Sequence, residues 1–363
     1  MTKAKKLVVL TAGGTGGHVY PADALANELL QKGYEVMLFT DGRGLHNYKG
    51  KLGEIENKAI LSGSVVGKSV LTKIFSLLKV AFGVLQAGYY LIKMRPRCVV
   101  GFGGYASFPT AVAAILLRVP LVIHEQNSVM SRTNRLLARY ATCVAQSFRQ
   151  VKYTPKGAKE VLTGMPVRQT ISVLHQKTYS VPQTSEKMNL VVLGGSQGAK
   201  VFAEVVPQAL KLLDASLQER LNVYQQCRKG EEDFVTKQYQ GTKVQPIVRS
   251  FFENMPELYA QTHLMISRAG ASSVYEIVAA GVPSILVPLP TAADNHQYFN
   301  ARAFADVRAA FLLEQSSFTA EKLAAVLRDC FENSAQLKQM SDCAKKHAII
   351  DAAARLADVV MKL

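Results

Sequence analysis

A chain of 363 residues, 48% apolar and 19% charged, is neither disordered nor one small core, and its length favours about two domains. Five scattered cysteines without a C-x-x-C pair argue against a disulfide framework and a zinc site, and fit a reducing cytosol. The net charge of +16 is one-sided, residues 1–165 carrying 22 Lys and Arg against 8 Asp and Glu; it asks for an anionic partner (nucleic acid, a phosphate-bearing substrate or acidic lipid), general basicity being the alternative.

In chain order, the apolar run 7–10 is too short for the core of a signal peptide and leads straight into glycines, so a buried first strand is expected. Further strands are expected at 35–40, 98–101, 121–124, 143–145 and 160–162. Residues 98–117 are uncharged over nearly a membrane-spanning length, but GFGGYASFP in their middle would leave backbone groups unpaired in lipid. Strand, loop and helix is the better parse, and a soluble chain is expected. A second series of strands follows at 190–193, 221–225, 243–248, 264–267 and 284–287, with helical patterns such as 21–32 and 271–280 between strands. This alternation predicts an α/β chain with two doubly wound parallel sheets and a polar, proline-bearing linker near 165–187. Ligands of such sheets bind beyond the C-terminal strand ends, so a cleft between the domains is the expected site.

Both halves open alike, LVVLTAGGTGGHVYPADALANELL from Leu7 and LVVLGGSQGAKVFAEVVPQALKLL from Leu190. In each, an apolar strand stops at Gly-Gly and a small-residue loop enters a helix, whose first N–H groups can hold an anion. Tight strand-to-helix turns need glycine anyway, so one such loop is equivocal. Its recurrence, with a third glycine loop at 101–109, favours a diphosphate-bearing ligand. G-G-T-G-G is not the G-x-G-x-x-G of dinucleotide enzymes, and no P-loop motif occurs.

His18 closes the first loop, where an imidazole can take a proton from an acceptor hydroxyl or simply position the loop. His124, Glu125, Gln126 and Asn127 end an expected strand. Asn127 or Gln126 could bind sugar hydroxyls, or the cluster stabilises its loop; without a second histidine it is no H-E-x-x-H zinc site. In SRAGASSVYEIVAAGVPSILVP, Glu276 lies one turn into a helix, where a carboxylate can accept from both ribose hydroxyls while the helix start faces a phosphate. PTAADNHQYFNA offers Asp294, Asn295, His296, Gln297 and Asn300 for sugar hydroxyls. No D-x-D pair suits a divalent metal, so helix dipoles with Arg168 or Arg268 are expected to offset charge on a leaving diphosphate. Residues 70–96 are strongly apolar, with Lys68, Lys73, Lys79, Lys93, Arg95 and Arg97 in or beside them. Much of this length is expected to be core. The surrounding cations nevertheless favour a membrane-facing patch at Leu71, Ile74, Phe75, Leu78, Lys79 and Phe82.

Taken in order, GGTGGHVYP, GFGGYASFP, HEQN, GGSQGA, SRAGASSVYEIVAAGVPSILVP and DNHQYFNA resemble glycosyltransferase family 28 over nearly the whole chain. The resemblance implies a GT-B fold, two Rossmann-like doubly wound domains facing a central cleft. It implies an acceptor- and membrane-binding domain over 1–164, a UDP-sugar domain over 165–342, and a C-terminal helix from about 343 to 363 packed back on the first. The implied reaction is inverting transfer of GlcNAc from UDP-GlcNAc to the C4 hydroxyl of MurNAc in lipid I, giving lipid II for peptidoglycan, at the cytoplasmic face of the bacterial inner membrane. Carried over by position, His18 and Asn127 are catalytic. Thr15, Gly16, Gly17, Asn127, Arg168, Ser196, Gln197, Phe252, Arg268, Ala271, Ser272, Ser273, Glu276 and Gln297 fall on the donor side, Phe252 where backbone reads the uracil. Gly13, Gly14, Thr15, His18, Gly103, Gly104 and Tyr105 fall on the acceptor side. No tightly bound cofactor or metal is implied. The implied partners are UDP-GlcNAc, lipid I, an anionic membrane surface and other cell-wall synthesis proteins, not nucleic acid.

The chain departs from the family pattern at Met165, where Asn is usual, at QQCRKG (residues 225–230), and at His296. Three rival readings are a UDP-GlcNAc 2-epimerase, a glycolipid glycosyltransferase and a non-catalytic nucleotide-sugar-binding partner of a membrane enzyme. An epimerase would need a carboxylate pair that is not obvious here, a glycolipid enzyme would differ in its acceptor loops, and a binding partner would not need His18 and Asn127. A nucleic-acid role would want aromatics among the cations, which cluster instead beside an aliphatic stretch.

Overall fold

The computed structural model describes residues 6–13, 16–42, 50–63, 70–182, 186–195 and 198–363, with Val70 and Leu71 by backbone alone. Gly14, Thr15, Lys68, Ser196, Gln197 and the Leu71 side chain therefore lie outside the described residues. The chain divides into two compact units, Met1–Arg168 with Ile349–Leu363, and Gln169–Ala348.

Among the described residues the first unit holds a parallel sheet of β1 (Leu7–Thr11), β2 (Glu35–Thr40), β3 (Asn57–Ala59), β4 (Cys98–Gly101), β5 (Leu121–Glu125), β6 (Cys143–Gln146) and β7 (Glu160–Leu162), in the order β3-β2-β1-β4-β5-β6-β7. β4, β5 and β6 are buried along their whole length, as continuous apolar runs require when helices cover both faces. On one face Leu25 and Leu29 of the helix Gly16–Gln31 pack with Leu356 and Val360 of the C-terminal helix Ala352–Met361. On the other, Ala87 and Leu91 of the helix Val70–Met94 pack with Ala111 of the helix Phe108–Leu116 and with Phe39 and Ile123. Strand order reverses between β1 and β4, whose last residues Thr11 and Gly101 are paired. The loops leaving them are therefore neighbours at the sheet's switch point.

The second unit repeats the plan with β8 (Met188–Leu193), β9 (Leu221–Gln226), β10 (Pro246–Arg249), β11 (Leu264–Ser267), β12 (Ser284–Leu286) and β13 (Phe311–Leu312), parallel in the order β10-β9-β8-β11-β12-β13. β8 and β11 are its reversal pair, with Leu193 beside Ser267.

The expected boundaries and elements differ in places. Met165 is 1% exposed and joins the first unit, whereas Ile171 is fully buried in the helix Gln169–Ser172 at the start of the second, so the expected linker is partly packed. The helix Ser334–His347 buries Leu337, Met340 and Ala344, and Ser341 Oγ donates to the Gly281 carbonyl, so the return to the first unit comes at Ile349 and not at 343. β3 and β13 were not anticipated, being edge strands of three and two residues, too short to show a period. The strand expected from 243 begins at Pro246, the Lys243 N–H being held by Gln218 Oε1 at 2.8 Å.

The helix Val70–Met94 is not mostly core. Of its described side chains only Ser76, Gly83, Ala87 and Leu91 are buried, a single narrow stripe. Ile74, Phe75, Leu77, Leu78, Phe82, Leu85, Tyr89 and Ile92 are each more than half exposed, and Lys79 Nζ stands 4.9 Å from the Phe75 ring centroid. By length and composition this helix could cross a membrane. It is tied down through Gln86, which accepts from the Leu61 N–H at 3.0 Å and donates to the Ala59 carbonyl at 2.8 Å.

Candidate active site

His18 lies in the first turn of the helix that follows β1, and the β4 loop passes beside it through Gly103 (φ 84°) and Gly104 (φ 77°). Both glycines hold left-handed conformations that a side chain would strain. A Cβ on Gly13 would land on the Ala106 Cβ, and one on Gly104 would lie 3.2 Å from the Gly13 carbonyl oxygen, so the two loops touch because they lack side chains. The His18 ring packs on the same surface, 3.5 Å from where Cβ atoms of Gly103 and Gly104 would be. Gly16 and Gly17 open the helix, which has no acidic residue in its first turn, and its N-terminal dipole therefore favours an anion. Ser107 Oγ holds the loop through the Gly103 carbonyl at 2.7 Å, and the Tyr105 hydroxyl donates to Asp41 Oδ2 at 3.0 Å.

The HEQN cluster proves largely internal. Glu125 is 1% exposed; its carboxylate accepts from the N–H groups of Asn127 and Ser131, both at 3.0 Å, and from Asn134 Nδ2 at 2.8 Å. Burial raises its pKa against the pull of these bonds. Gln126 is also buried: its Nε2 donates to the Phe102 carbonyl at 2.6 Å and lies 3.2 Å from His124 Nδ1. It is thus committed inside the fold and is not a sugar ligand. His124 is fully buried, and desolvation pushes it down to about 4. Asn127 alone of the four is partly exposed.

His18 itself is partly exposed, and its sealed ring nitrogen is Nδ1. The Phe102 carbonyl and the Gln126 side chain are its polar neighbours, although neither contact reaches full hydrogen-bond geometry. Burial holds the ring below the ordinary imidazole value, those two neighbours opposing it, so it is neutral at neutral pH. Arg168, expected in the donor domain, belongs to the first unit, its guanidinium 5.0 Å from the ring centroid of Tyr20 on the His18 helix.

In the second unit the loop after β8 passes Gly195 (φ 81°) and Gly198 (φ 68°). A Cβ on Gly194 would fall on the Ala199 nitrogen, so this turn closes only around glycine. Beside it, the helix Ala271–Ala280 begins at Gly270 without a side-chain cap or an early acid, leaving its first N–H groups open. Ala271, Ser272 and Ser273 form that turn, and the Ser272 hydroxyl is buried without a partner among the described residues. Glu276, 8% exposed, leans back towards the helix start, as helical side chains do, and accepts from the Tyr259 hydroxyl at 3.3 Å.

Of these, Gly195, Tyr259, Ser273 and Glu276 line a pocket of about 110 Å³, with Leu193, Gln226, Phe251, Phe252 and Met255 completing its wall. It lies at the C-terminal ends of β8 and β9 and under the helix that follows β11, beside the reversal between β8 and β11 where parallel sheets hold ligands. Phe252 is buried in its wall, edge-on to Tyr224. A larger hollow of about 210 Å³ sits at the N-terminal ends of the strands, near Asn189 and His263, lined by the turns that lead into β11 and β12. Position and chemistry outweigh size here. Sequence reasoning missed Tyr259, on the helix Met255–Gln261; a buried phenol that must find a hydrogen-bond partner was the available signal.

Two other anticipated contacts are already committed within their own unit. Arg268 donates to the carbonyls of Val287 and Pro288, both at 3.2 Å, and to Gln315 Oε1 at 2.6 Å, and it stacks 4.9 Å from the Phe202 ring centroid. Its guanidinium is thereby held within the second unit. Asn300 is fully buried and donates to the Ala269 carbonyl at 3.1 Å. Gln297 Oε1 accepts from Ala269 N at 3.2 Å and Leu289 N at 3.0 Å, leaving its amide nitrogen to donate. Asp294 and Asn295 adopt positive φ ahead of it, and His296 Nδ1 lies 2.8 Å from the Ala293 carbonyl. Among the described residues no group of three or more His, Cys, Asp and Glu is placed to hold a metal ion.

Residues 8–146 match the glycosyltransferase family 28 N-terminal domain, and residues 189–356 the family 28 C-terminal domain. A UDP-N-acetylglucosamine–N-acetylmuramyl-(pentapeptide) pyrophosphoryl-undecaprenol N-acetylglucosamine transferase of Paramagnetospirillum magneticum is 45% identical, covering 100% of this chain and 98% of that protein. Its counterpart in Rhodospirillum rubrum is 44% identical over 97% of this chain and 91% of its own length. The crystal structure of Acinetobacter baumannii MurG superposes with a TM-score of 0.80 at 33% identity, over 99% of this chain and 100% of that one. A UDP-GlcNAc 2-epimerase from Neisseria meningitidis shares the fold, at a TM-score of 0.71 and 13% identity over 98% and 99% of the two chains. With both of its domains matched and relatives at this identity along its whole length, the chain belongs to glycosyltransferase family 28.

Proposed function

We propose that this protein transfers GlcNAc from UDP-GlcNAc to the C4 hydroxyl of MurNAc in undecaprenyl-diphospho-MurNAc-pentapeptide (lipid I), giving lipid II with inversion. The observation that carries the reading is the 44–45% identity, sustained over nearly the whole chain, to transferases named for that reaction. The two half-sites suit its chemistry. On the second unit, Glu276 accepts from the ribose hydroxyls, the wall at Phe252 holds the uracil, and the open start of the helix Ala271–Ala280 faces the diphosphate. Gln297 donates to the sugar.

On the first unit, His18 takes the proton from the acceptor hydroxyl as its oxygen attacks the anomeric carbon. The bond from that carbon to the UDP oxygen breaks, and UDP leaves with the electron pair. Helix dipoles, aided by the field of Arg268 and by Arg168, offset the negative charge that develops. Asn127 steadies the reacting groups, and the glycine loops at Gly13 and at Gly103–Gly104 receive the acceptor with Tyr105. The exposed apolar face of the helix Val70–Met94, with Lys73, Lys79 and Lys93 beside it, rests on the anionic cytoplasmic surface of the inner membrane, where the lipid acceptor resides.

The test is UDP release from UDP-GlcNAc with and without a lipid I analogue, beside UDP-GalNAc and a His18→Ala variant. Acceptor-dependent release selective for UDP-GlcNAc, lost in a variant that still binds UDP, is expected. Release without acceptor would overturn the transferase reading in favour of epimerase chemistry.

A further inference from the structure

In the first unit a run of polar groups ends on His18, and its hydrogen-bond directions can be read from the closed end. A backbone carbonyl only accepts, so His124 Nε2, 3.2 Å from the Gly164 oxygen, carries that ring's proton. Ser147 Oγ lies 3.4 Å from the same nitrogen and gives its own proton to the Met165 sulfur at 3.5 Å, so it too presents lone pairs. His124 Nδ1 is then an acceptor and takes a proton from Gln126 Nε2 at 3.2 Å. The other Nε2 proton goes to the Phe102 carbonyl at 2.6 Å. These two bonds fix which way the amide faces. Its Oε1 turns to the Gly103 side, where one added Cβ would lie 3.6 Å from His18 Nδ1 and 3.7 Å from Gln126 Oε1. Nδ1 of His18 is sealed from solvent and makes no full hydrogen bond; the ring's polar neighbours, the Phe102 carbonyl and the Gln126 amide with its Oε1 on this side, offer it oxygens that cannot donate.

We infer that Gln126, held in one orientation by His124, is a positioning residue for the transfer: it keeps His18 as the Nδ1–H tautomer, with its lone pair on the exposed Nε2, using neutral groups alone. The inference rests on the reading of His18 as the base. Neutrality is the point of the arrangement, because a carboxylate in place of Gln126 would stabilise the imidazolium, whose second proton sits on the Nε2 lone pair that must accept the acceptor's proton. Met165, the departure from the family's usual Asn, is part of the device. Its thioether accepts the Ser147 proton and so keeps the far end of the run acceptor-only on its Gly164 side.

Two-bond ¹⁵N–¹H spectra of the labelled protein at pH 7 test this directly, with His18→Gln and His124→Gln variants used only to assign the ring signals. The expected result is two neutral rings of opposite tautomer, Nδ1–H for His18 and Nε2–H for His124. Finding His18 as Nε2–H, or as the imidazolium, would overturn the inference. In Gln126→Glu, His18 should become the imidazolium and kcat should fall roughly 100-fold, with KM for UDP-GlcNAc and UDP affinity held within about threefold. A neutral His18 in that variant, with the new carboxyl shown to be ionised by its ¹³C shift and UDP affinity retained, would also overturn it. If the tautomers are as stated but His18→Ala keeps full acceptor-dependent turnover, the base reading falls, and the inference falls with it.

Discussion

Replacing Glu276 by Gln tests the donor pocket most sharply, because volume is kept while one acceptor oxygen becomes a donor. Glu276 is 8% exposed, lines the pocket and already takes the Tyr259 hydroxyl at 3.3 Å, so its carboxylate is oriented by the protein. A tyrosine hydroxyl can accept as well as donate, so the amide nitrogen is expected to turn to Tyr259. The ribose then meets one neutral oxygen in place of a charged acceptor. A hydrogen bond to a charged group is worth about 1.5–3 kcal/mol. At about 1.4 kcal/mol per decade that is a loss of roughly 10- to 150-fold in UDP affinity. Tyr259→Phe removes the orienting bond and should cost about 1 kcal/mol, roughly fivefold. Because the two side chains touch, the double variant should lose less than the sum. Titration calorimetry with UDP and 2′-deoxy-UDP reads all three variants, with urea melts as the control for folding. The parent should bind the deoxy ligand more weakly than UDP, and Glu276→Gln should distinguish the two poorly. UDP affinity within twofold of the parent in Glu276→Gln, in a protein of unchanged stability, would refute the ribose assignment.

His124 makes stability depend on pH. Its folded value, about 4, lies below the ordinary 6.5, so the contribution is present above about pH 6.5 and is lost as pH falls towards 4, by about 3 kcal/mol at most. Urea melts at pH 7 and 4.5 should show a smaller acid loss in His124→Gln than in the parent; equal losses would contradict it. Gly83→Ala places a Cβ on the Leu61 carbonyl oxygen and 3.2 Å from the Pro109 Cβ, so overpacking of about 1–3 kcal/mol should exceed any gain in helix propensity. Calorimetry should record a fall in Tm of about 2–8 °C, and an unchanged or raised Tm would show that the helix moves away at no cost. Phe75, Leu78 and Phe82 are 60%, 52% and 60% exposed, and inserting each into lipid is worth about 1 kcal/mol. Substituting all three by Ser should weaken sedimentation with anionic vesicles roughly 100-fold, and unchanged sedimentation of a folded variant would remove the membrane patch.

The glycine loops, the strand alternation and the pocket carboxylate were legible because each rests on local rules. A strand that stops at Gly-Gly and turns into a helix advertises itself within a dozen residues, and Glu276 sits at a fixed offset from the start of its helix. Gln126 and Asn300 were harder. Their amides suit a sugar and an internal carbonyl equally well, and only burial separates the two uses. Arg268 is similar, since its partners come from Val287, Pro288 and Gln315, far along the chain. The helix Val70–Met94 erred in the opposite direction. An apolar helix is ordinarily core, and nothing in its sequence says that Gly83 and Gln86 fasten it by so narrow a stripe.

By itself, then, the sequence determined the α/β class and the two-fold repetition of strand, glycine loop and helix, and it singled out His18 and Glu276 as candidates, because backbone conformation and helix-end electrostatics act over a few residues. The tertiary structure decided which strands are neighbours, and therefore that the β1 and β4 loops meet around His18 as the β8 and β11 loops meet around Glu276. It decided that Tyr259 orients Glu276, that Arg268 is committed within its own unit, and that Gly164, His124 and Gln126 stand in line behind His18. Those facts depend on desolvation and on hydrogen bonds between residues tens of positions apart, and a buried polar atom takes its role from whichever partner the fold brings within 3 Å.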